Sequence, residues 1–299
     1  MMDFYTMDTI FPVTKIITNR FSCRSYIDKP IPEEKRALID EFISGNKTGP
    51  FNTSSRFHLI AADVQDNKAL KGLGTYGFIR GASGFIIGCA DRSSEYNLEN
   101  YGYMMEKIIL FATHIGLGTC WLGGSFNKST FSQKISTKHN EFVPAVVAIG
   151  HIASKKRVVD KIIRWSAKAS KRKHWNKLYF QEKFNIALSP EDAGSFSVPL
   201  DMVRLAPSAS NRQPWRIIKE KNNNIFHFFL QRTKNYYENN KKMFKMADLQ
   251  RVDMGIAMSY FDLTCNELGI KGKWIVKKPE INNLPELTSY LITWSESTK

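Results

Sequence analysis

The sequence has few cysteines and no long hydrophobic run. Its four cysteines are scattered over 299 residues and never form a Cys-x-x-Cys pair, which argues against a disulfide scaffold or a zinc ribbon and fits a reducing compartment. The longest apolar stretch, residues 108–124, is broken by His114 and rich in glycine, so it is too short and too polar for a membrane span. The first residues include Asp3 and lack the apolar region of a signal peptide. We therefore expect a soluble, cytoplasmic protein without a membrane partner.

Acidic residues are scarce relative to basic ones. The chain has 28 Asp and Glu against 43 Lys and Arg, a formal net charge of +15, which is typical of proteins with an anionic partner. Residues 151–183 hold 11 cations and 2 acids, interleaved with Trp165, Trp175, Tyr179 and Phe180. This segment is either a nucleic-acid surface or a solvated crossover whose aromatics lie in the core. No nucleic-acid module is recognisable, which favours the crossover.

Two amphipathic segments indicate an internal repeat. Apolar residues recur at helical spacing over residues 97–115 and 248–268, and each helix is expected to stop at a glycine before a strand that begins at a tryptophan. A constant offset of 153 relates four residue pairs, Gly102/Gly255, Met105/Met258, Gly116/Gly269 and Trp121/Trp274. Residues 49–60 and 206–218 are similar at an offset of 157. We expect a diverged duplication; the alternative is two unrelated helix–turn–strand units.

The same patterns predict the remaining elements. Helices are expected over residues 15–19, 33–44, 97–115, 130–136, 198–205 and 248–268. Strands are expected over residues 57–62, 85–90, 143–150, 215–219, 225–230, 272–277 and 289–294. The two long helices would pair across a pseudo-twofold axis, because neither can bury its apolar stripe alone. The chain then divides into a first half, a basic crossover and a second half, over residues 1–151, 152–187 and 188–299.

Several familiar motifs are incomplete. Residues 72–77 fit Gly-x-Gly-x-x-Gly, but no strand is expected before them and no helix after them, so we interpret a glycine-rich loop rather than a dinucleotide site. The six histidines lack metal-ligand spacing, so no metal is expected. Glu106 and Asp262 lie on amphipathic helices, where we expect solvated carboxyls. No side chain is assigned a catalytic role.

One short stretch near the amino terminus suits a phosphate. Arg20, Ser22 and Arg24 alternate, so in an extended segment their side chains face one way. Two guanidiniums and a hydroxyl can grip one phosphate, and arginine does so with a bidentate fork. The alternative is a charged loop that makes surface ion pairs.

A second stretch suits a planar heterocycle. Residues 205–215 contain Pro207, Pro214 and several small polar residues, which make a stiff turn with exposed donors and acceptors. Such a loop can hydrogen-bond the edge of a ring that carries carbonyl and N–H groups. A plain turn at the entrance of a strand is the alternative.

Together these stretches resemble the FMN-dependent nitroreductase family. Residues 20–24 are similar to that family's amino-terminal Arg-x-Ser-x-Arg, and residues 206–215 to its Ala-Pro-Ser-x-x-Asn-x-Gln-Pro-Trp. Residues 116–123 resemble its helix-end Gly-Leu-Gly-x-x-Trp-x-Gly. The resemblance covers most of the chain. It implies an α+β protein with a nitroreductase-like three-layer α/β/α fold and mixed, mostly antiparallel sheets.

One departure from the family pattern indicates its single-chain branch. Ordinary members carry both motifs on one short chain, and two chains form a dimer in which each FMN contacts both subunits. Here the Arg-x-Ser-x-Arg motif lies in the first half and the intact loop in the second, while residues 49–56 have lost the loop pattern. The resemblance therefore implies a fused, internally duplicated chain, a monomer that acts as a pseudo-dimer, with one FMN at the interface of its halves.

The resemblance also implies roles for individual residues. Arg20 and Arg24 would hold the FMN phosphate with Ser22, and the later pair Arg172 and Lys173 would complete that pocket. The residues expected along the ring and the ribityl chain are Pro207, Ser208, Ala209 and Asn211, with Gln213 as support and with Gly123 and Gly124 allowing close backbone approach.

The resemblance implies an oxidoreductase reaction in two halves. NAD(P)H would reduce FMN, and FMN would reduce a small-molecule acceptor such as a nitro compound or a quinone. The excess of basic charge suggests that this acceptor is anionic. The alternative is a non-enzymatic flavin- or polyanion-binding protein that uses residues 151–183, and nucleic acid is the less favoured polyanion.

Overall fold

The computed structural model describes residues 12–62, 69–153, 171–244 and 246–297. The α-helices in these ranges are α1 Val13–Asn19, α2 Glu33–Gly45, α3 Asn97–His114, α4 Lys128–Lys134, α5 Pro190–Ala193, α6 Ser197–Leu205, α7 Tyr236–Phe244 and α8 Leu249–Glu267. The strands are β1 Ser55–Ala61, β2 Gly84–Asp91, β3 Gly118–Leu122, β4 Glu141–Phe142, β5 Val146–Gly150, β6 Tyr179–Gln181, β7 Trp215–Lys219, β8 Ile225–Gln231, β9 Gly272–Ile275 and β10 Thr288–Glu296.

The strands form two five-stranded sheets, with β1 to β5 in sheet one and β6 to β10 in sheet two. Sheet one has the order β1-β2-β5-β3, with β4 also paired to β2, and all its pairs are antiparallel. Sheet two has the order β6-β7-β8-β10-β9, in which β6 runs parallel to β7 and the other pairs are antiparallel. The predicted α+β class with mixed, mostly antiparallel sheets is confirmed.

The main hydrophobic core joins the inner faces of both sheets to the helices. Strand β7 shows why these residues form a sheet: Trp215 and Ile217 face this core, and Arg216, between them, faces the other way. Strand β2 is apolar from Gly84 to Ala90, because Ile86 faces the main core while Phe85 faces a second cluster. That second cluster, which includes α4, covers the outer face of sheet one. A strand covered on both faces carries a continuous apolar run instead of an alternating one.

The long helices α3 and α8 pack backbone against backbone. A methyl group on Gly102 would overlap the carbonyl oxygen of Val252, and a methyl group on Gly255 would overlap the carbonyl oxygen of Glu99. Each glycine therefore meets the residue three positions before the other glycine. The contact is reciprocal, as at a twofold interface, and it is the pairing that the offset of 153 predicts.

Most predicted elements are present, with differences of a few residues. Gly116 and Gly269 adopt the left-handed conformation, with φ of +80° and +74°, so the predicted helix ends are confirmed. Strand β3, however, begins at Gly118 rather than at Trp121. A glycine fits there because a Cβ would lie 3.0 Å from the Cβ of Cys23.

The elements that the sequence patterns missed are short or polar. Strand β6 has three residues in the basic segment, and helices α5 and α7 have four and nine residues. Of the interleaved aromatics, Tyr179 is fully buried, and Trp175 packs against the core while its indole donates to the carbonyl of Leu188 at 2.6 Å. Trp165 and residues 154–170 of the predicted crossover lie outside the described residues. The division at residues 151 and 187 stays a prediction.

Three further features concern the described residues. No helix in them has both the length and the hydrophobicity to cross a membrane. Within the same ranges, no three His, Cys, Asp or Glu side chains are grouped as metal ligands. All four cysteines are free and buried, so they pack as small apolar side chains.

The helix crossing gives a first testable prediction. Gly255→Ala should lower the free energy of unfolding by about 1–3 kcal/mol, because the added methyl meets a backbone carbonyl that cannot move aside without separating α3 from α8. Urea denaturation monitored by circular dichroism measures this change.

The matched control is Gly45→Ala at the end of α2, where a Cβ would meet nothing within 4 Å. Its stability should stay within about 1 kcal/mol of the parent protein. An equal effect of the two substitutions would contradict close packing at Gly255.

Candidate functional site

The segment that carries Arg20, Ser22 and Arg24 runs beside β3. Ser22 forms a parallel bridge with Thr119, and the amide of Cys23 donates to the carbonyl of Thr119 at 2.8 Å. Cys23 is buried, whereas Ser22 and Arg24 are half-buried. The segment is therefore extended where it runs beside β3. That Arg20, Ser22 and Arg24 face one way stays a prediction.

Arg20 enters a buried polar network built from both halves. Its Nε donates to the hydroxyl of Tyr260, on α8, at 3.0 Å and lies 4.0 Å from Oε1 of Glu106, on α3. Tyr260 donates to Glu106 at 3.2 Å, and the indole of Trp121 donates to the other carboxylate oxygen at 2.6 Å. The side chain of Arg20 is 6% exposed and that of Glu106 is fully buried. The hydroxyl of Tyr260, in the second half, thus bridges two charged side chains of the first half.

Burial governs the protonation of this network. Burial raises the pKa of Glu106 to about 7, against the opposing effects of Arg20, Trp121 and Tyr260. Burial also raises the pKa of the Tyr260 hydroxyl, which stays neutral and can donate a hydrogen bond. The carboxyl of Glu106 is therefore the group of this network that titrates near neutral pH.

The prediction that Glu106 and Asp262 are solvated carboxyls is wrong. Asp262 accepts hydrogen bonds from Tyr103 at 2.5 Å and from Trp294 at 3.2 Å, and burial raises its pKa. Helix α3 is covered by sheet one on one side and by α8 on the other, so it has almost no solvated face. An acid on such a helix is held by hydrogen bonds rather than by water.

The loop over residues 206–214 is tightly wound. Ser210, Asn211 and Gln213 all have positive φ, of 49°, 54° and 50°, which costs energy in non-glycine residues. The amide of Gln213 donates to the hydroxyl of Ser208 at 2.9 Å, and the amide of Ala209 donates to a carboxylate oxygen of Asp253 at 2.9 Å. These bonds fix the loop to α8. Pro207 and Ser208 are half-buried at its start.

The basic pair Arg172 and Lys173 contacts this loop. Arg172 donates to the Asn211 side chain and to the Leu205 carbonyl, both at 2.9 Å. The Lys173 amide donates to the Gln213 side chain at 2.8 Å, and its Nζ donates to the Gln213 carbonyl at 3.2 Å. Gln213 is 2% exposed, so its predicted role as the support of this loop has a clear physical basis.

Cations of the first half affect titratable groups in both halves of the candidate site. Burial lowers the pKa of Arg172, and the charge of Arg20 lowers it further. Arg20 and Arg24 both oppose the burial that raises the pKa of the Cys120 thiol. Like charges that interact in this way favour a nearby anion. We call the surroundings of Arg20, Arg24 and Arg172 the electropositive region.

Gly123 and Gly124 contact the start of α8. A methyl group on Gly123 would overlap the side chain of Leu249, and one on Gly124 would lie 2.6 Å from the sulfur of Met246. The structure therefore gives these glycines a packing role, which the sequence patterns did not indicate. Their approach to a flavin ring stays a prediction.

Two polar residues that the sequence analysis missed anchor the loops. Asp253 on α8 accepts from Ala209, and Asn100 on α3 binds the equivalent loop of the first half, accepting from the Phe51 amide at 3.4 Å and donating to the Thr53 carbonyl at 3.0 Å. Asn100 and Asp253 are themselves 153 residues apart. Applying the offset to polar residues of the long helices would have found them.

The family model described as "Putative TM nitroreductase" matches residues 12–265, and the chain belongs to that family. No curated protein matches it in sequence.

Solved structures with a similar fold include proteins of full and of half length. A Thermotoga maritima protein of the same description is 20% identical with a TM-score of 0.56, and the match covers 95% of this chain and 93% of that one. A shorter Desulfovibrio desulfuricans nitroreductase, in complex with FMN, is 28% identical with a TM-score of 0.38 and covers 49% of this chain and 89% of its own. A Clostridium difficile FMN-dependent nitroreductase is 19% identical, with a TM-score of 0.40 and coverages of 47% and 87%. The Thermotoga match extends the nitroreductase-like fold over both halves.

Glu106 gives a second testable prediction. Its ordinary pKa of 4.5 rises to about 7 in the folded protein, so the folded state holds a proton that the unfolded state releases. The stability that this proton contributes is complete below pH 4.5 and is lost as the pH rises to about 7. Between these limits the free energy of unfolding should fall by roughly 3 kcal/mol more for the parent protein than for Glu106→Gln. Urea denaturation over pH 4.5–8 measures it.

The matched control is Glu33→Gln, at an exposed carboxyl in the first turn of α2. Its stability should follow the parent curve with a constant offset. Parallel curves for the parent and Glu106→Gln would contradict the protonation assigned to Glu106.

Proposed function

We propose that the chain is an FMN-dependent oxidoreductase with one FMN at the interface of its halves. NAD(P)H would supply the reducing equivalents, and the acceptor would be a nitro compound, a quinone or a similar small molecule, with an anionic acceptor favoured by the net charge of +15. Membership of the nitroreductase family supports the class of reaction.

The observation that carries the proposal is that helix α8 holds both motifs. Arg20, of the Arg-x-Ser-x-Arg motif, donates to Tyr260 on α8, and Ala209, in the loop of the second half, donates to Asp253 on α8. Arg172 binds Asn211 in that loop, and burial, followed by the charge of Arg20, lowers the pKa of Arg172. A phosphate dianion would offset this repulsion, so the residues present fit the phosphate end of FMN.

The residues around this point have distinct binding roles. Arg24 and Arg172 would grip the phosphate with Ser22, and Arg20 would add charge through its terminal nitrogens, because its Nε is bonded to Tyr260. Lys173 reaches the same loop, but its Nζ lies at the Gln213 carbonyl. Within this proposal Lys173 therefore supports the loop more than it binds the phosphate.

The loop would supply the ring contacts. Pro207, Ser208, Ala209 and Asn211 present peptide and side-chain groups at one edge of the electropositive region, and Gln213 holds them in place. FMN, when bound, supplies the hydride chemistry. The protein contributes position and charge: the cations favour a negatively charged ring, and the buried network keeps water from Arg20.

Glu106 is a positioning residue in this scheme. Its carboxyl is held by Trp121 and Tyr260 and lies 4.0 Å from Arg20. When Glu106 is ionised it offsets part of the Arg20 charge, and when it is protonated the full charge of Arg20 is available to an anion. Phosphate affinity should therefore respond to the same titration that affects folding stability.

The test begins with FMN affinity. Arg24→Ala and Arg172→Ala should each weaken FMN binding by about 10- to 100-fold, the loss expected when a charge-assisted hydrogen bond to a phosphate is removed. Quenching of FMN fluorescence on titration with the protein measures the dissociation constant.

Arg92→Ala is the matched control, because Arg92 is an exposed arginine of the first half that stacks on Phe142. It should leave FMN affinity unchanged. The parent protein loaded with FMN should lose its yellow colour on anaerobic addition of NADH or NADPH. A protein that does not bind FMN would contradict the proposal, and a yellow protein that neither nucleotide bleaches would favour the non-enzymatic flavin-binding alternative.

A further inference from the structure

A cavity lies on the outer face of sheet two. It has a volume of about 630 Å³, which is within the usual range for small-molecule sites. Strands β6, β7 and β8 each place a residue in its wall, and the residues that define its character are Lys173, Lys177, Phe180, Phe184, Arg216 and Gln231.

Among the described residues, no acid lines this cavity beside its cations. None of its lining residues is Asp or Glu. Arg216 is 7% exposed, and its guanidinium donates to two backbone carbonyls, those of Gln213 at 3.0 Å and Trp215 at 2.6 Å. In the described part of the chain, no carboxylate lies within ion-pair distance of Arg216. A buried cation held only by carbonyls is costly unless an anion joins it.

Arg216 and Lys173 also repel each other. Burial lowers the pKa of Arg216 to about 10. Burial, followed by the charges of Arg216 and Arg212, lowers the pKa of Lys173 to about 8. An anion between the two side chains would reverse both effects.

The aromatic wall is the second feature of the cavity. The rings of Phe180 and Phe184 lie 5.3 Å apart, and that of Phe184 lies 5.1 Å from the ring of Phe229 on β8. Phe180 and Phe184 are only partly buried. On sheet one, by contrast, Phe131 of α4 is buried against the outer face as part of a second hydrophobic cluster. Among the described residues, sheet two has no such cluster on its outer face, and its aromatics line the cavity instead.

Of the residues expected to bind FMN, Lys173 alone lines the cavity. Arg172 turns towards Asn211 and the Leu205 carbonyl, whereas Lys173 extends its Nζ to the Gln213 carbonyl, the same oxygen that Arg216 contacts. The side chains of these two neighbouring residues therefore contact different parts of the loop.

We propose that this outer cavity binds a small aromatic anion, such as a phosphate or carboxylate attached to a ring. Arg216, Lys173 and Lys177 would take the anionic group, and Phe180 and Phe184 would contact the ring. The site does not depend on the flavin function, and it accounts for part of the basic excess that a single FMN leaves unexplained.

The test uses the full chain with FMN at saturation, because FMN is itself an aromatic phosphate. The probe is 1-naphthyl phosphate, titrated by isothermal calorimetry and compared with 1-naphthol and inorganic phosphate. Each comparison compound should bind at least about 10-fold more weakly than the probe, because each lacks one of the two groups that the cavity contacts.

Two variants and a control locate the binding. Arg216→Gln should reduce probe affinity by at least about 10-fold, and Lys177→Gln, at an exposed position that does not endanger folding, by about 3- to 10-fold. Lys47→Gln removes the same charge at an exposed position beyond α2 and should have no effect.

Three results would overturn the proposal. The first is equal affinity for 1-naphthol and for the probe. The second is probe binding that Lys177→Gln leaves unchanged. The third is binding that Arg24→Ala abolishes while Lys177→Gln does not, which would place the probe in the flavin site.

Discussion

The crossing of the two long helices at Gly102 and Gly255 is the constraint on which the rest of the structure depends. Two helices can touch backbone to backbone only where neither carries a side chain, and here each glycine meets a carbonyl of the other helix. Because the contact is reciprocal, it fixes both the distance between the halves and their relative rotation. Contacts between the two halves therefore depend on this crossing.

The candidate site follows from this crossing. Glu106 lies four residues beyond Gly102 on α3, and Tyr260 lies five beyond Gly255 on α8, so the close approach brings their side chains together around Arg20. Asp253 holds the second-half loop on the same helix. The same packing that stabilises the fold therefore anchors the Arg-x-Ser-x-Arg motif of one half and the loop over residues 206–214 of the other to the same helix.

Periodicity and caps predict much of this fold from sequence. The glycine ends of the long helices are local signals, and the offset of 153 is a similarity between the two halves. Together they locate α3, α8 and the contact between them. The burial of Glu106 could not be predicted in this way, because an amphipathic pattern identifies one apolar stripe, whereas α3 is buried at 15 of its 18 residues between a sheet and a helix. The direction of Lys173 depends on Gln213, 40 residues away, and no local pattern encodes it.

In the proposed function, one composite FMN site forms from two unlike halves. The number of FMN molecules bound per chain tests this site, measured by titrating the flavin-free protein at a concentration well above the dissociation constant and recording the end point. One FMN per chain is expected, because the Arg-x-Ser-x-Arg motif and the intact loop each occur once. An end point at two FMN per chain, or at one FMN per two chains, would contradict it.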